Sequence, residues 1–281
     1  MKKGKIIGAV LLILTGIVLV LLIFTIFTNS LMGRVELVQS YGSVLGGGEG
    51  DLRWKIFPMY PTLRAYVELL LDSPGFFVMF WNSCKQTAAI LAGQLIVGTT
   101  AAWAFGRYDF PGRRVLFILY MILMILPFQV TMTSSYLVLS RLKLIDTVYA
   151  VVLPAVFSTF PVFIMTKFFR AIPNSLIEAA KIDGAGELYI FFHIGLPLGM
   201  PGIFSAGLLS FLEYWNAIEA PMTFLKSEQK FPLSLYLPSI TTERISVSFA
   251  ASVVMILPAL FIFLFGQEYL EQGIAASGLK E

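Results

Sequence analysis

Chemistry needs side chains that can exchange protons, hold metals or attack carbonyls, and this sequence supplies few of them. His193 is the only histidine and Cys84 the only cysteine among 281 residues. A multi-histidine or cysteine-based metal centre is therefore out of reach, and so is an intramolecular disulfide. A Ser/His/Asp hydrolase would have to be built on His193 alone. The glycine-rich stretch Gly46-Gly47-Gly48-Glu49-Gly50 lacks the Lys-Ser/Thr that turns such a loop into a phosphate cradle, and no Walker A pattern occurs elsewhere. Carboxylates that could matter by position are Glu178 and Asp183, in a short polar interval, and Glu213 and Glu219, near Trp215 and Asn216. The sequence predicts no catalytic residue, no metal site and no cofactor.

The elements that must position these residues are apolar. Hydrophobic residues make up 57% of the chain and charged ones 13%, and the mean hydropathy is +0.82. A soluble domain of this length needs more charge to cover its surface, so lipid is the solvent for most of the chain. The net charge of +3 is dilute and gives no nucleic-acid footprint. Six stretches are almost free of charge and long enough for the roughly 20 residues that cross a bilayer: 6–32, 86–106, 115–140, 147–166, 188–212 and 245–267. The second is expected to start nearer Phe76, which places Lys85 at or inside the membrane rim, where snorkelling to headgroups competes with a role in a pathway. The first follows Lys2, Lys3 and Lys5 like a signal peptide, but its apolar run is too long for one, and a retained helix is predicted. The expectation is an all-α polytopic membrane protein of about six helices, divided into residues 1–75, 76–267 and a tail from 268.

Positive charge at Lys2, Lys3, Lys5, Arg107, Arg113 and Arg114 places both termini in the cytoplasm. Arg141 and Lys143, in a short outer loop, point the other way. This orientation leaves outer loops at 33–75 and 218–244 and inner segments at 107–114, 167–196 and beyond 268.

One inner segment has a legible local plan. Pro173 suits the start of a helix, and Ser175 with Glu178 three residues later fits a capping box. Leu176, Ile177, Ala179, Ala180 and Ile182 carry the helix onward, and Asp183-Gly184 signals a turn. A second helix is expected from about Ala185 to Pro197, where the fifth span begins. Small side chains at Ala179 and Ala180 allow a partner surface to come close, and Glu178 can accept from a partner arginine. Equally, Glu178 can cap its own helix and Asp183-Gly184 can be a turn and nothing more.

The run Glu178-Ala179-Ala180-Lys181-Ile182-Asp183-Gly184-Ala185, with Ile194-Gly195-Leu196-Pro197-Leu198 and Pro201, resembles the EAA loop of the permease subunits of binding-protein-dependent ABC importers. It is most similar to the maltose-type, MalG-like carbohydrate group. Pro61-Thr62-Leu63, Asn82-Ser83, Arg107, the run from Phe110 to Arg113, Leu126-Pro127 and Trp215-Asn216 resemble that group in order, as does the tail from Tyr269 to Lys280. The resemblance implies a type I importer permease in a bacterial inner membrane. Its partners would be a second homologous permease, two ATPase subunits that bind the ATP, and an extracytoplasmic solute-binding protein. Glu178, Ala179 and Ala180 would contact an ATPase, Asp183, Gly184 and Ala185 would orient the contacting helix, and Pro197 would mark its junction with the membrane span. The implied cargo is a sugar or oligosaccharide, with a non-sugar solute as the alternative. An ion-coupled secondary transporter is the rival of another class, and it would need mid-membrane carboxylates that the spans lack.

Two further regions carry candidates. Glu213, Trp215 and Asn216 combine an aromatic face with polar groups, which suits sugar rings; an interfacial tryptophan belt is the other reading. Relatives follow Trp-Asn with apolar residues, whereas this chain continues Ala217-Ile218-Glu219-Ala220. In the outer loop Lys226, Glu228, Lys230 and Tyr236 either meet the binding protein or are simply solvated. His193 is expected to be a solvated or interfacial histidine.

Overall fold

The computed structural model describes residues 2–42, 55–236 and 243–278, with side chains from residue 8 to 269 within those bounds. The glycine-rich stretch 46–50, residues 237–242 of the outer loop and the end of the tail lie outside the described residues. Every regular element among them is helical. Five helices are long and apolar enough to cross a membrane, at 8–30, 74–107, 148–171, 187–215 and 245–269, and a bent pair makes up to six.

That pair corrects one expectation. The run 115–140 is not one straight helix but α5 (Arg113–Ile125) and α6 (Phe128–Arg141), bent by 104°. Pro127 has no N–H for the helical ladder and pushes Leu126 to an extended conformation, φ −66° and ψ 124°. Hydropathy is blind to this break because no acidic or basic residue interrupts the run from Val115 to Ser140.

The chain forms two compact units. The first holds residues up to 77 together with 236–258. It contains α1 (Lys2–Ser30), α2 (Arg34–Tyr41), α3 (Arg64–Leu71) and the start of α13 (Ile245–Gly278). Most of α1 is exposed, as lipid or a partner helix requires, but its last turn is buried and polar. There Asn29 donates to the Tyr41 hydroxyl at 2.8 Å, and Ser30 shares a 2.7 Å hydrogen bond with Tyr66. Met32, Leu37 and Ile245 close this unit's core.

The second unit holds residues 78–235 and the chain from 259. Its helices are most of α4 (Pro74–Arg107), then α5 and α6, α7 (Val148–Val156), α8 (Thr159–Ala171), α9 (Asn174–Ile182), α10 (Glu187–Ile190), α11 (Leu196–Trp215) and α12 (Glu219–Phe224). The main packing is α8 against α11. Close approach is possible because Gly199 faces Phe169, and a Cβ on Gly199 would overlap that ring. Trp103, Phe169, Ile190, Phe191, Ile203 and Ala206 form the core around this contact.

Two boundaries differ from the sequence reading. α9 starts at Asn174 behind Pro173, with no side-chain cap, so the Ser175–Glu178 capping box does not form. Ser175 lies inside the first turn, where its side chain cannot take the place of an N-cap. Helical backbone also passes from α10 into α11 through a π turn at Phe191–Gly195, so Pro197 falls inside a continuous helix. Pro197 follows the π turn at the second position of α11, where the regular α-helical ladder is already interrupted.

Candidate functional site

α9 is short, and its position is decided by its ends. At the upstream end Pro173 forces Ile172 out of the helix of α8, to φ −64° and ψ 127°. Arg107, the last residue of α4, holds the corner. It donates to Asn174 Oδ1 at 2.8 Å and to the carbonyl of Ile172. At the downstream end Gly184 takes φ +81°, a conformation that glycine adopts without steric cost. Gly184 N–H donates to the Lys181 carbonyl at 3.1 Å and Ala185 N–H to the Ala180 carbonyl at 2.9 Å. This pair of bonds is the Schellman closure of a helix C-terminus. The Asp183-Gly184 turn is therefore formed, and by a definite mechanism.

A polar chain then ties the turn to α4. Lys181 Nζ meets Glu187 Oε1 at 2.6 Å, the Tyr108 hydroxyl donates to Glu187 Oε2 at 2.8 Å, and Trp103 Nε1 donates to Tyr108 at 3.3 Å. Its hydrogen bond to Glu187 holds the Lys181 ammonium above its ordinary pKa. Burial pushes the Tyr108 phenol up, while the Trp103 N–H opposes the shift. Both groups thus stay protonated as donors at neutral pH. Trp103 itself packs edge-on to Phe169 at 5.4 Å and against Phe191 at 5.6 Å. A side chain on Gly195 would strike it. Three membrane helices, α4, α8 and the one entered through α10, are thereby joined to both ends of α9.

The helical spacing sorts α9 into two faces. Ile177 and Ala180 are half-buried against the core, with Ala185 beside them. Glu178, Ala179 and Ile182 point away from it, and Ile182 is 86% exposed. The two alanines grouped together in the sequence reading therefore separate, and only Ala179 is free for an outside surface. Glu178 makes no ion pair among the described residues. Asp183, Gly184 and Pro197 are exposed.

The other candidates are scattered differently. Trp215 is 3% exposed, stacked on Phe211 at 5.5 Å and edge-on to Phe80 at 6.0 Å. Asn216 donates to the Leu212 carbonyl at 2.8 Å, and Glu219 accepts from Gln129 at 2.6 Å. Glu213, Asn216 and Glu219 are exposed. Glu213 and Asn216 are thus exposed, as is the pair of Glu219 and Gln129, whereas the indole of Trp215 is packed away. His193 is exposed, stacked on Tyr189 at 3.9 Å. Lys85 is exposed on α4.

The other end of the run formed by α7 and α8, just before residue 148, has its own fixed point. Asp146, at φ 60°, accepts from the N–H groups of Lys226 and Ser227 at 3.0 and 2.9 Å. Its other oxygen accepts from Ser227 Oγ at 2.6 Å and from Lys230 Nζ at 2.9 Å. Asn82 and Gln86 add bonds from α4 to the carbonyls of Gln229, Lys230 and Phe231. Lys230 is therefore committed within the chain, whereas Lys226 and Glu228 are exposed.

Those donors hold the Asp146 carboxyl well below the usual carboxylate range, the Ser227 hydroxyl first among them. A depressed folded pKa contributes stability that is present above the unfolded value, about 4, and is lost as pH falls through the folded value. Asp146→Ala is expected to speed amide exchange at Lys226 and Ser227 severalfold at neutral pH. In the unsubstituted chain both amides should stay protected well below about pH 4, because the carboxylate that holds them remains ionised there. Unchanged exchange in the variant would show that the carboxylate does not hold this loop.

Sequence reasoning missed Trp103, Tyr108, Glu187 and Asp146. Arg107 was noticed for its positive charge at the inner side and for its place in a family pattern, not for the corner it holds. A charged residue closing a long apolar run was the one available signal, since Arg107 ends a span and cannot lie in lipid.

Residues 94–276 match the family described as binding-protein-dependent transport system inner membrane component. The arabinooligosaccharides transport system permease protein AraQ of Halalkalibacterium halodurans is 30% identical over 226 residues, covering 79% of this chain and 81% of that one. The osmoprotective compounds uptake permease protein GgtD of Synechocystis is 29% identical over 253 residues, covering 88% and 85%. Among solved structures, a chain of a bacterial ABC transporter involved in the import of the acidic polysaccharide alginate superposes with a TM-score of 0.78 at 24% identity. It covers 95% of this chain and 96% of its own length.

Proposed function

The chain belongs to the binding-protein-dependent transport system inner membrane components, and from that premise we propose how it takes up its cargo. It is the permease subunit of an ABC importer, and it forms half of the translocation pathway beside a second, homologous permease. Two ATPase subunits bind and hydrolyse the ATP, and a solute-binding protein delivers the cargo from outside. The chain itself performs no covalent step. Both termini lie in the cytoplasm, on the side of α9.

One observation carries the coupling role: α9 is joined at both ends to three membrane helices, while its Glu178–Ala179–Ile182 face is exposed among the described residues. In this reading Ala179 allows an ATPase surface to come close, Ile182 is covered by it, and Glu178 accepts from a partner cation. Asp183, Gly184 and Ala185 set the angle of the helix through the Schellman turn. When the ATPases close, the push on α9 passes through Arg107 and Glu187 into α4, α8 and α11, which tilt between inward- and outward-facing states. Coupling of this kind needs a stiff connection, and the paired polar ties at the two ends of α9 supply one.

The cargo is a carbohydrate, on the strength of relatives named for arabinooligosaccharides, galactooligosaccharides and polygalacturonan. Glu213 and Asn216 are the pathway residues, with Trp215 as the packed support behind them. The relative named for osmoprotective compounds supports a second reading, a smaller compatible solute.

The test is reconstitution of the chain with and without its ATPases in vesicles, following labelled oligosaccharide uptake. Uptake is expected only with the ATPases, ATP and binding protein present. Transport by the chain alone, or driven by an ion gradient, overturns the importer reading. For the pathway, Glu213→Gln is expected to raise the half-saturating cargo concentration about tenfold, the loss of one charge-assisted hydrogen bond. An unchanged value removes Glu213 from the pathway.

A further inference from the structure

Beside the base of α9 lies a cavity of about 780 Å³ that the coupling role does not use. It opens between the first turn of α5 and the last turn of α8, and Arg113, Arg114 and Arg170 line its rim. Val115, Phe117, Ile118 and Met121 line its floor. We propose that this cavity binds one anionic phospholipid, with the phosphate among the three arginines and an acyl chain along the outer face of α5.

Charge is the first support. Arg113, Arg114 and Arg170 face a single carboxylate, Asp109, which already pairs with Arg113. Lys167 lies one turn before Arg170, with its ammonium 4.7 Å from the Phe163 ring. Phe163 in turn stacks on Phe117 of the cavity floor. Neither Arg114, at the rim, nor Lys167, one turn before Arg170 of that rim, has an acidic partner among the described residues, so both cations are left for an anion. Arg113 and Arg170 both donate to the Phe105 carbonyl, at 3.1 and 3.2 Å, which fixes their guanidinium groups at the rim. No side chain caps the first turn of α5, so the positive end of its helix dipole adds to the same field.

The apolar part decides between a lipid and another anion. From the arginines, a stripe of Val115, Ile118, Ile122 and Ile125 continues down α5, each between 44% and 75% exposed, and α5 buries no residue at all. A free phosphate has no use for such a stripe. An acidic protein surface would need polar partners along it, and none is present for two turns below the rim. A chain with a charged head and a long apolar tail matches both halves, and basic pockets at the ends of membrane helices take such headgroups. The volume falls within the range of ordinary ligand sites.

The test measures lipid retention, which requires no transport, so its outcome stands apart from that of the uptake assay. The assembled importer is equilibrated with micelles of phosphatidylglycerol and phosphatidylcholine, and co-purified lipid is counted by native mass spectrometry. The unsubstituted importer is expected to retain phosphatidylglycerol preferentially. Arg114→Gln with Lys167→Gln should weaken that retention about 30-fold, each surface cation counting for about fivefold. Both side chains are exposed, and each single variant should give part of the loss, which separates the effect from misfolding. Equal retention of the two lipids, or retention untouched in the double variant, overturns the proposal. Displacement of the lipid by millimolar inorganic phosphate also overturns it, since that would make the site one for a free anion.

Discussion

Ala179→Arg is expected to abolish ATP-driven uptake while leaving the chain folded and inserted. Ala179 is exposed on α9 and belongs to no packed cluster of its own chain, so a longer side chain there meets only solvent until a partner docks. An ATPase surface seated on that face would have to accommodate an arginine in the space of a methyl group, at a cost of about 3 kcal/mol, on the order of 100-fold in docking. The contrasting variant is Ala180→Arg. That residue is half-buried against the Trp103–Phe169 core, so the same substitution one position later should lower the thermal midpoint of the chain itself. Paired measurements of uptake and thermal unfolding in detergent check both statements. If Ala179→Arg takes up cargo normally, the outward face of α9 is not the coupling surface.

Gly199→Val has the largest expected effect on the fold. The close approach of α8 and α11 depends on the missing side chain at Gly199, where even a Cβ overlaps the fully buried Phe169 ring. In a bilayer the association of helices rests on such packing, because lipid is as apolar as leucine. Two further methyl groups at this contact force the helices apart or Phe169 out of its rotamer, costing about 1–3 kcal/mol. Thermal unfolding in detergent should show the loss, and Phe169→Leu in the same chain should restore part of it. A midpoint equal to that of the unsubstituted chain would mean that the contact yields without strain. Uptake should fall as well, since Phe169 and Gly199 lie between the two helices that α9 is proposed to move.

These two results differ in how visible they were beforehand. The alanines of α9 stand in a local pattern that can be read directly, together with the Asp183-Gly184 turn. What could not be read is which alanine faces outward, because that depends on which side of α9 meets the core. The Ser175–Glu178 capping box was a correct local possibility that lost to geometry. Pro173 begins the helix one residue ahead of Asn174, and Arg107 supplies the polar contact at that end from 67 residues away. Likewise Leu126-Pro127 was legible as a motif, yet the 104° bend needed coordinates, since hydropathy averages over a break that does not change it.

The sequence by itself determined that this protein lives in a membrane, that it crosses about six times, and that a short alanine-bearing loop stands between two of the crossings. Those properties follow from composition and from neighbours a few residues apart, where local physics is sufficient. Tertiary structure alone decided that α9 is clamped at both ends, that Trp215 is packed away and that four cations gather beside α5. Asp146 with Lys230, Tyr108 with Glu187, and Arg107 with Asn174 meet across 67 to 84 residues. Such pairs form only when the chain folds back on itself; near α9, Gly195 and Gly199 let the spans close on Trp103 and Phe169. The histidine, the cysteine and the glycine-rich run that open any search for chemistry take no part in this account; the working groups are those that join helix to helix.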